Sequence, residues 1–409
     1  MKRRAAASAR GTDASAAARP DLVARLAASQ AVRAQQDLLR RLRAVERVDA
    51  ARIVLDGKSL LNFASNDYLG LAQHPHVCAA AQRAIARWGV GATAAHLLGG
   101  HRAEHEALEQ ALAQWTGREC ALLFSTGYMA NLGAIGALLG AGDLCVEDRL
   151  NHASLLDGAQ LCGAELKRYA HADADSARRQ LQTRPAAAAL VASDGVFSMD
   201  GDVAPLGALA AVCAADGATL LVDDAHGLGV LGPDGAGSVA AAGLTQRDVP
   251  VLMATLGKAL GVAGAFVAGS TALIDGLIQF ARPFVYTTAM PPALAAAAHA
   301  ALEVVRFEPA RRTKLACLIA HFRTGAAVRG LALLPSSTAI QPVPVGASDR
   351  ALAAARRLEA DGFYVPAIRP PTVPAGKARL RVTLSAAHAE HDVEQLLDAL
   401  ARALAPEPR

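Results

Sequence analysis

The chain has 409 residues, of which 53% are hydrophobic and 19% are charged, and its formal net charge is +4. This length and composition support a large buried core arranged in two or three lobes. The charge is too dilute for a nucleic-acid-binding surface, and an aromatic content of 4% is too low for base stacking. The six cysteines are scattered without a CxxC pair, and no apolar stretch resembles a secretory signal or a membrane span. We therefore expect a cytoplasmic enzyme with free thiols.

The N-terminal part of the sequence predicts a lead, a helix and a hairpin. Residues 1–20 are rich in Ala, Ser and Arg and poor in large apolar side chains, so we expect a disordered lead. Residues 21–48 carry leucines at helical spacing, and the arginines around Arg40 are typical of a solvated helix face. Alternating apolar residues over 52–63, interrupted by an Asp-Gly pair, predict a β-hairpin. We assign the helix and the hairpin together to residues 21–65.

The middle of the chain alternates short apolar runs with helical stretches, which is typical of α/β proteins. Strands separated by helices predict right-handed crossovers and a mostly parallel sheet covered on both faces. We therefore predict a large domain over residues 66–300 and a smaller C-terminal α/β lobe over residues 301–409. Helices are predicted at 75–88 and 104–115. The predicted strands are residues 121–124, 143–146, 188–194, 218–222, 251–254 and 264–269, with two more in the small lobe at 339–345 and 379–384.

Two short motifs between the first helices point to other chemistry, and neither is complete. Gly89, Gly91 and Ala94 match the GxGxxG/A dinucleotide pattern, but a helix precedes them where that motif requires a strand. His101 and His105, with a glutamate between them, match the HxxEH zinc motif, but the sequence offers no evident third ligand. We expect neither a dinucleotide site nor a metal site here.

Polar side chains follow two neighbouring strands of the predicted sheet. One strand ends at Asp223 and is followed by His226, and the next ends near Thr255 and is followed by Lys258. Because the carboxyl ends of parallel strands meet at one edge of a sheet, an acid, an imidazole and an amine should surround one crevice. These are the groups of a pyridoxal 5'-phosphate (PLP) enzyme, in which a lysine forms a Schiff base and a carboxylate keeps the pyridine nitrogen protonated.

A strand-to-helix turn supplies a candidate phosphate site. Thr126, Gly127 and Tyr128 follow a predicted strand and lead into a helix, whose free N–H groups and dipole favour an anion. Taken alone, the pattern is an ordinary turn. Together with Lys258 and Asp223 it predicts the phosphate cradle of PLP.

Several longer motifs carry a family resemblance that extends from about residue 35 to the end. They are SNDYLGLAQHP, STGYMAN, DRLNHASLLDG, SDGVFSMDGD, VDDAHGLGVLG, TLGKALG, YTTAMPP and IRPPTVPAGKARLRVTLSAAH. The chain resembles the 8-amino-7-oxononanoate synthase family of PLP-dependent α-oxoamine synthases. The resemblance implies the α/β fold of PLP-dependent transferases of fold type I, with a mostly parallel central sheet in the large domain, a smaller C-terminal lobe and an N-terminal helical segment.

The resemblance also assigns roles to residues around the cofactor ring. It implies that Lys258 forms the Schiff base and then acts as a base near the substrate Cα. It implies that Asp223 pairs with the pyridine nitrogen and that His226, with Ser198 beside it, binds the phenolic oxygen. His152 is implied to stack on the ring and to contact substrate, although a lone histidine near a helix start is more often a cap or a core residue.

For the phosphate, the resemblance implies two groups of residues. One group lies in the same subunit, and the other reaches the phosphate of a neighbouring subunit, which implies a homodimer with sites at its interface. The first group is Thr126, Gly127, Tyr128 and Thr255, and the second is Thr287 and Thr288.

The reaction implied is a decarboxylative condensation of L-alanine with a pimeloyl thioester in biotin biosynthesis. Arg381 matches the position that binds the alanine carboxylate, for which a bidentate arginine is well suited. Asn66, Arg40 and Thr372 match positions on the acyl-substrate side. The sequence leaves open whether the acyl carrier is CoA or an acyl carrier protein.

Related activities share the same central residues, so the outer residues must distinguish them. 2-Amino-3-ketobutyrate CoA ligase, 5-aminolevulinate synthase and serine palmitoyltransferase have the same Lys, Asp and His set. The run from Arg369 to Pro374 favours the oxononanoate-synthase form, and the CoA ligase remains the alternative. The loop over residues 91–96 departs from the GSGGS-like stretch common in relatives, which leaves its contacts to substrate or to the other subunit open.

Overall fold

The computed structural model describes residues 19–36 and 38–405, and the chain divides into two units, residues 1–42 and 43–409. In the first unit, helix α1 spans Leu22–Gln35, and the side chain of Asp21 caps it by accepting hydrogen bonds from two backbone N–H groups. Most of the predicted disordered lead, residues 1–18, lies outside the described residues.

In the second unit, the prediction of a helix that continues to residue 48 is wrong. Strand β1 occupies Val45–Asp49, and it pairs with β2, Arg52–Leu55. The predicted hairpin is confirmed, because β2 pairs antiparallel with β3, Lys58–Asn62. Asp56 and Gly57 join the two strands with φ values of 50° and 72°, as a tight two-residue hairpin turn requires.

A seven-stranded sheet forms the centre of the large domain and confirms the predicted mostly parallel arrangement. Its strand order is β4-β10-β9-β8-β7-β5-β6, and within this sheet β10 is the strand of reversed direction, pairing antiparallel with both β4 and β9. The strands are β4 Cys120–Phe124, β5 Leu144–Asp148, β6 Glu165–Tyr169, β7 Ala189–Asp194, β8 Thr219–Asp223, β9 Val251–Thr255 and β10 Ala265–Gly269.

Helices cover both faces of this sheet. They are α2 Pro75–Trp88, α3 Ala103–Trp115, α4 Gly127–Leu138, α5 Ala153–Cys162, α6 Ala174–Leu181, α7 Leu206–Asp216, α8 Ser238–Ala241, α9 Thr271–Phe280, α10 Arg282–Val285 and α11 Pro292–Phe307. Strand β8 shows why the central strands are apolar throughout: Leu221 packs into the hydrophobic core on one face, while Leu220 and Val222 pack into the core on the other. Each such side chain stabilises the fold by about 1.5–3 kcal/mol when it is fully buried.

The C-terminal part of the chain forms a second, smaller sheet. Strand β14 lies in the middle and pairs antiparallel with both neighbours, in the order β11-β14-β13. The elements are α12 Pro309–Val328, β11 Ile340–Gly346, α13 Ser348–Ala360, β12 Phe363–Tyr364, β13 Ala367–Ile368, β14 Ala378–Thr383 and α14 Glu390–Leu404, and β12 pairs with β3. The domain boundary near residue 300 stays a prediction. Within the described residues, the helices are all too short or too polar to cross a lipid bilayer.

The loop that follows β7 of the large sheet contacts residues of the small sheet and the segment before it. The carbonyl oxygen of Gly201 accepts hydrogen bonds from Ser336 Oγ and Thr338 Oγ1, both at 2.9 Å, and Asp200 forms an ion pair with Arg379 of β14. Gly201 has a φ of 70°, and a Cβ atom there would collide with the carbonyl oxygen of Ile340. The loop is therefore held directly against the strand that carries the predicted substrate arginine.

Candidate active site

A cavity of about 210 Å³ lies at the carboxyl edge of β7, β8 and β9. It gathers most of the residues that the sequence predicted around a cofactor. Eight of the eleven predicted cofactor residues line it, namely Gly127, Tyr128, His152, Ser198, Asp223, His226, Thr255 and Lys258.

Lys258 occupies the short connection between β9 and β10, and its amine enters the cavity. The Nζ atom lies 2.9 Å from His226 Nε2. Burial lowers the pKa of Lys258 to about 8, and the nearby carboxylates of Asp223 and Asp194 oppose this shift. A lysine in this state loses its proton within the pH range in which enzymes work, as a nucleophile or base must.

His226 is buried and links the lysine to a tyrosine that the sequence analysis did not single out. Its Nδ1 atom lies 2.6 Å from the hydroxyl oxygen of Tyr68, which is 1% exposed. Burial, and then the positive charges of Lys258 and Arg381, hold the pKa of His226 well below its usual range, so the imidazole is neutral. The Tyr68 hydroxyl in turn donates to Asn66 Oδ1 at 3.4 Å. Tyr68 lies inside the SNDYLGLAQHP motif, which was the available signal for it.

Asp223 and Asp224 are adjacent in sequence and differ in environment. Asp223 lines the cavity, where its Oδ2 atom accepts from Asn131 Nδ2 at 2.7 Å and its Oδ1 atom accepts from the Ala225 backbone N–H at 3.0 Å. Asp224 instead accepts from the backbone and side chain of Ser238 at 2.7 and 2.6 Å, and burial raises its pKa to about 7. The geometry therefore makes Asp223 the carboxylate available to a ligand in the cavity.

His152 caps helix α5 and borders the cavity beside the ring of Tyr128. The two rings meet edge to face, with centroids 6.2 Å apart and planes at 78°. Burial of the ring lowers the pKa of His152, although the charge of Asp223 opposes the shift. The backbone N–H of His152 points toward Asp194 Oδ1 at 3.4 Å.

Asp194 is a cavity residue that the sequence analysis missed. It ends strand β7, next to the strand that ends in Asp223, so its position at a strand end was a usable signal. Burial and the neighbouring charge of Asp223 raise the pKa of Asp194 well above its usual range. Two carboxyl groups thus share this edge of the cavity.

The predicted phosphate residues lie at three places. Thr126 caps helix α4 by accepting from the Met129 backbone N–H at 3.1 Å, and Gly127 begins that helix at the cavity. Thr255 Oγ1 donates to a carbonyl of the lysine-bearing turn at 3.0 Å. Thr287 is half-buried and Thr288 is exposed, and neither lines the cavity of its own chain. Their predicted contact with a neighbouring subunit stays a prediction.

The predicted substrate residues are only partly brought together. Arg381 on β14 is 6% exposed and donates from Nε to the Ser198 carbonyl oxygen at 2.8 Å and from a terminal nitrogen to Thr383 Oγ1 at 3.0 Å. Both terminal nitrogens also lie 3.4 Å from Asn66 Oδ1. Thr372 lies in the loop between β13 and β14 and does not line the cavity, and Arg40 belongs to the first unit.

The second histidine of the HxxEH motif, His105, is hydrogen-bonded to the backbone. His105 accepts from the Arg102 backbone N–H at 2.8 Å through Nδ1, and its Nε2 atom lies 2.8 Å from the Met290 carbonyl oxygen. Both ring nitrogens of His105 are therefore engaged by the backbone. Within residues 19–36 and 38–405, no group of three metal-ligating side chains comes together.

The donor set of the cavity fits PLP. The amine of lowered pKa suits the aldehyde, and the carboxylate held by two hydrogen-bond donors suits the pyridine nitrogen. One imidazole suits the ring and the other suits the phenolic oxygen. The start of the twelve-residue helix α4 suits the phosphate. The aminotransferase class I and II family matches residues 58–400, and the chain belongs to this family of PLP-dependent enzymes.

Among individual proteins, the chain is similar to enzymes named 8-amino-7-oxononanoate synthase. That of Cellvibrio japonicus is 57% identical over 375 residues, which cover 92% of this chain and 94% of the relative. That of Pseudomonas putida strain KT2440 is 58% identical over 381 residues, which cover 93% and 96%.

Solved structures of PLP-dependent enzymes also match this chain. Serine palmitoyltransferase of Sphingomonas wittichii matches with a TM-score of 0.89 and 32% identity, over 94% of this chain and 98% of that one. The 8-amino-7-oxononanoate synthase of Francisella tularensis matches with a TM-score of 0.74 and 28% identity, over 84% and 97%. A structure of SPT with PLP matches with a TM-score of 0.90. These matches confirm the predicted fold class and cofactor.

Proposed function

We propose that this chain catalyses the decarboxylative condensation of L-alanine with a pimeloyl thioester. The products are 8-amino-7-oxononanoate, carbon dioxide and the free acyl carrier, and the reaction belongs to biotin biosynthesis. The observation that carries the proposal is 57% identity, over 92% of the chain, to an enzyme named for this product. The cavity supports it, because an amine of lowered pKa lies beside a carboxylate and a neutral imidazole.

PLP, when bound, supplies an electron sink that stabilises negative charge on the amino-acid Cα. Lys258 would hold it, with Asp223 at the pyridine nitrogen, His226 at the phenolic oxygen and the start of α4 at the phosphate. Because its pKa is about 8, the Lys258 amine can accept the Cα proton and return it near neutral pH. Its neighbour His226 is neutral and adds no positive charge that would repel a protonated amine.

Arg381 is the candidate for binding the alanine carboxylate. Its guanidinium is oriented before substrate arrives, because a carbonyl oxygen, a hydroxyl and an amide oxygen already contact its nitrogens. A planar guanidinium that is held in place loses little further freedom when it binds a carboxylate. Arg381 would thus fix the amino acid while Lys258 moves the proton.

The acyl substrate is apolar along its length and polar at its far end, so its recognition requires a distal polar or cationic group. We propose Arg40 and Thr372 for that end, with Asn66 nearer the reacting carbon. Arg40→Ala and Thr372→Ala should raise the KM for the pimeloyl thioester more than the KM for alanine, because they remove binding remote from the reaction. Unchanged pimeloyl dependence in both variants would contradict this assignment.

The function is tested by identifying the product by mass. Purified holoenzyme is given L-alanine with pimeloyl-CoA, and in parallel glycine with acetyl-CoA and L-serine with palmitoyl-CoA. We expect 8-amino-7-oxononanoate from the first pair, and Lys258→Ala should give none. A preference for glycine and acetyl-CoA would replace the proposal with the CoA-ligase activity. Replacing pimeloyl-CoA by pimeloyl acyl carrier protein in the same assay identifies the better donor.

The proposed assembly is a homodimer in which Thr287 and Thr288 contact the cofactor phosphate of the partner chain. Sedimentation of the holoenzyme should give twice the chain mass. The shared site is tested by mixing Lys258→Ala chains with Thr288→Val chains. In a heterodimer, one site receives both substitutions, and the other site has its natural Lys258 from one chain and its natural Thr288 from the partner. The mixture should therefore be more active than either variant alone. A monomer in solution would refute the assembly.

A further inference from the structure

A chain of hydrogen bonds beside the cavity joins Asp223 to His152 through two buried residues. Asn131 on α4 is 0% exposed and Ser154 on α5 is 1% exposed. The Nδ2 atom of Asn131 lies 2.7 Å from Asp223 Oδ2 and 2.8 Å from Ser154 Oγ. The Oγ atom of Ser154 lies 2.8 Å from His152 Nδ1. Two cavity residues with predicted cofactor roles are thus connected through Asn131 and Ser154, to which no role has been assigned, and Ser154 also lines the cavity.

The hydrogen bonds in this chain have one consistent set of directions. An ionised carboxylate can only accept, so Asn131 presents its NH₂ group to Asp223. The second hydrogen of that group points to Ser154 Oγ, which accepts it and can still donate its own proton to His152 Nδ1. The Ser154 backbone N–H also points to Nδ1, at 3.3 Å. Since Nδ1 receives two donors, neutral His152 must carry its proton on Nε2.

The amide of Asn131 keeps this orientation at a cost. Its Oδ1 atom is buried and has no hydrogen-bond partner among residues 19–36 and 38–405. An unsatisfied buried oxygen destabilises the fold, yet a reversed amide would place that oxygen 2.7 Å from a carboxylate oxygen. The negative charge of Asp223 therefore decides which way the amide points.

Other charged groups near His152 are compatible with a neutral ring. Lys258 lowers the pKa of His152 in addition to burial, and Asp223 raises it without overcoming burial. Asp194 contacts the His152 backbone N–H, and Tyr128 meets the ring edge to face. A neutral imidazole has two tautomers, and these neighbours leave the choice to Ser154.

We propose that Asn131 and Ser154 are positioning residues that hold His152 as the Nε2–H tautomer, with the charge of Asp223 setting the direction of the chain. The donor N–H of His152 is then presented at the side of the ring away from Ser154. The carboxylate proposed for the cofactor nitrogen and the His152 imidazole are thereby coupled through Asn131 and Ser154, and of these two only Ser154 is hydrogen-bonded to the imidazole. The inference rests on the proposed function only for the choice of substrate in the kinetic measurement.

The test is the protonation of the His152 ring nitrogens in the holoenzyme. The protein is labelled with ¹⁵N-histidine and loaded with PLP, and the signals of His152 among the twelve histidines are assigned with His152→Gln. In the wild type we expect an unprotonated Nδ1 and a protonated Nε2. Ser154→Ala should bring the two nitrogen shifts closer together, because Nδ1 loses its hydroxyl donor. Ser154→Thr keeps a hydroxyl and should restore the wild-type pattern.

Asn131→Leu is the decisive variant, because Asn131 does not contact His152. It should move the His152 shifts in the same direction as Ser154→Ala, and the double variant should add nothing further, since both changes break one chain. Ser176→Ala is the matched control. It removes the hydroxyl of another buried serine, which accepts from the Ala170 backbone N–H outside the cavity, and it should leave the His152 shifts unchanged.

A proton on Nδ1 in the wild type overturns the proposal, and beyond the assignment with His152→Gln this measurement does not depend on Ser154→Ala or Asn131→Leu folding. Unchanged His152 shifts in both Ser154→Ala and Asn131→Leu also overturn it. With L-alanine and pimeloyl-CoA, both variants should lose about tenfold in kcat/KM, and Ser154→Thr should recover it. If no oxononanoate forms while the shifts follow the expected pattern, the proposed function fails and the positioning roles stand.

Discussion

Replacing Tyr68 with phenylalanine tests whether the tyrosine hydroxyl fixes His226. The substitution keeps the buried ring and its volume and removes one oxygen, which lies 2.6 Å from His226 Nδ1. No cavity is created, so packing should change little. What changes is the hydrogen bonding of a buried imidazole whose other nitrogen faces Lys258 at 2.9 Å.

The size of the effect follows from leaving a buried polar atom unpaired. Such a loss costs about 1–3 kcal/mol. If the hydroxyl holds the imidazole in its productive orientation, the same free energy appears in the activation barrier, and kcat/KM for L-alanine should fall about 5- to 160-fold. The measurement is kcat/KM for alanine at saturating pimeloyl thioester, with urea unfolding of the same preparation to record stability.

Tyr169→Phe is the matched control for this substitution. Tyr169 is also fully buried, but it does not line the cavity and does not contact His226. The control should keep wild-type kcat/KM and should not lose stability. If Tyr68→Phe retained kcat/KM within about twofold of wild type, the hydroxyl would not be orienting His226 and the reasoning would be wrong.

Three further predictions follow from the cavity. Asp223→Asn should slow turnover by orders of magnitude while PLP stays bound, because the amide carries no charge and its NH₂ group would face a donor of Asn131 or Ala225. Near-normal turnover would mean that another acid has this role. In cofactor-free protein, acetylation of Lys258 should rise with a midpoint near pH 8, because a lowered pKa leaves the amine unprotonated at lower pH than the ordinary 10.5, and a midpoint near 10.5 would contradict the burial argument. Arg381→Ala should raise the KM for alanine more than that for the pimeloyl thioester, and the reverse order would assign the arginine to the acyl substrate.

Most of the residues that line the cavity could be predicted from the sequence because strand ends are visible in the chain. The apolar runs before Asp223 and Lys258 are long enough to predict strands, and the ends of parallel strands meet at one edge. Strand β6 was missed for the complementary reason. Its residues, Glu165–Tyr169, include three charged side chains, which an edge strand tolerates because it pairs on one side only.

The residues behind the site could not be found in the same way. Asn131 is 92 residues from Asp223, and Tyr68 is 158 residues from His226. Each lies within a motif that resembles the family, but the resemblance gave roles to residues that contact cofactor or substrate. Which buried amide or hydroxyl satisfies which buried acceptor depends on how distant segments pack, and no periodicity or spacing encodes that pairing.

Strand β10, which runs antiparallel to both of its neighbours, has a consequence for how this site can diversify. A parallel partner for β9 would require a crossover of a dozen or more residues, whereas the reversed strand begins after a return of nine residues, 256–264. The two ends of this connection are held together, because the Leu256 backbone N–H donates a hydrogen bond to the Gly264 carbonyl oxygen at 2.9 Å. Lys258 thus lies in a short connection between two paired strands, whereas Arg381 on β14 and Thr372 in the loop before β14 belong to a separate part of the chain. Substitutions that change the substrate can therefore accumulate in that part of the chain without moving Lys258.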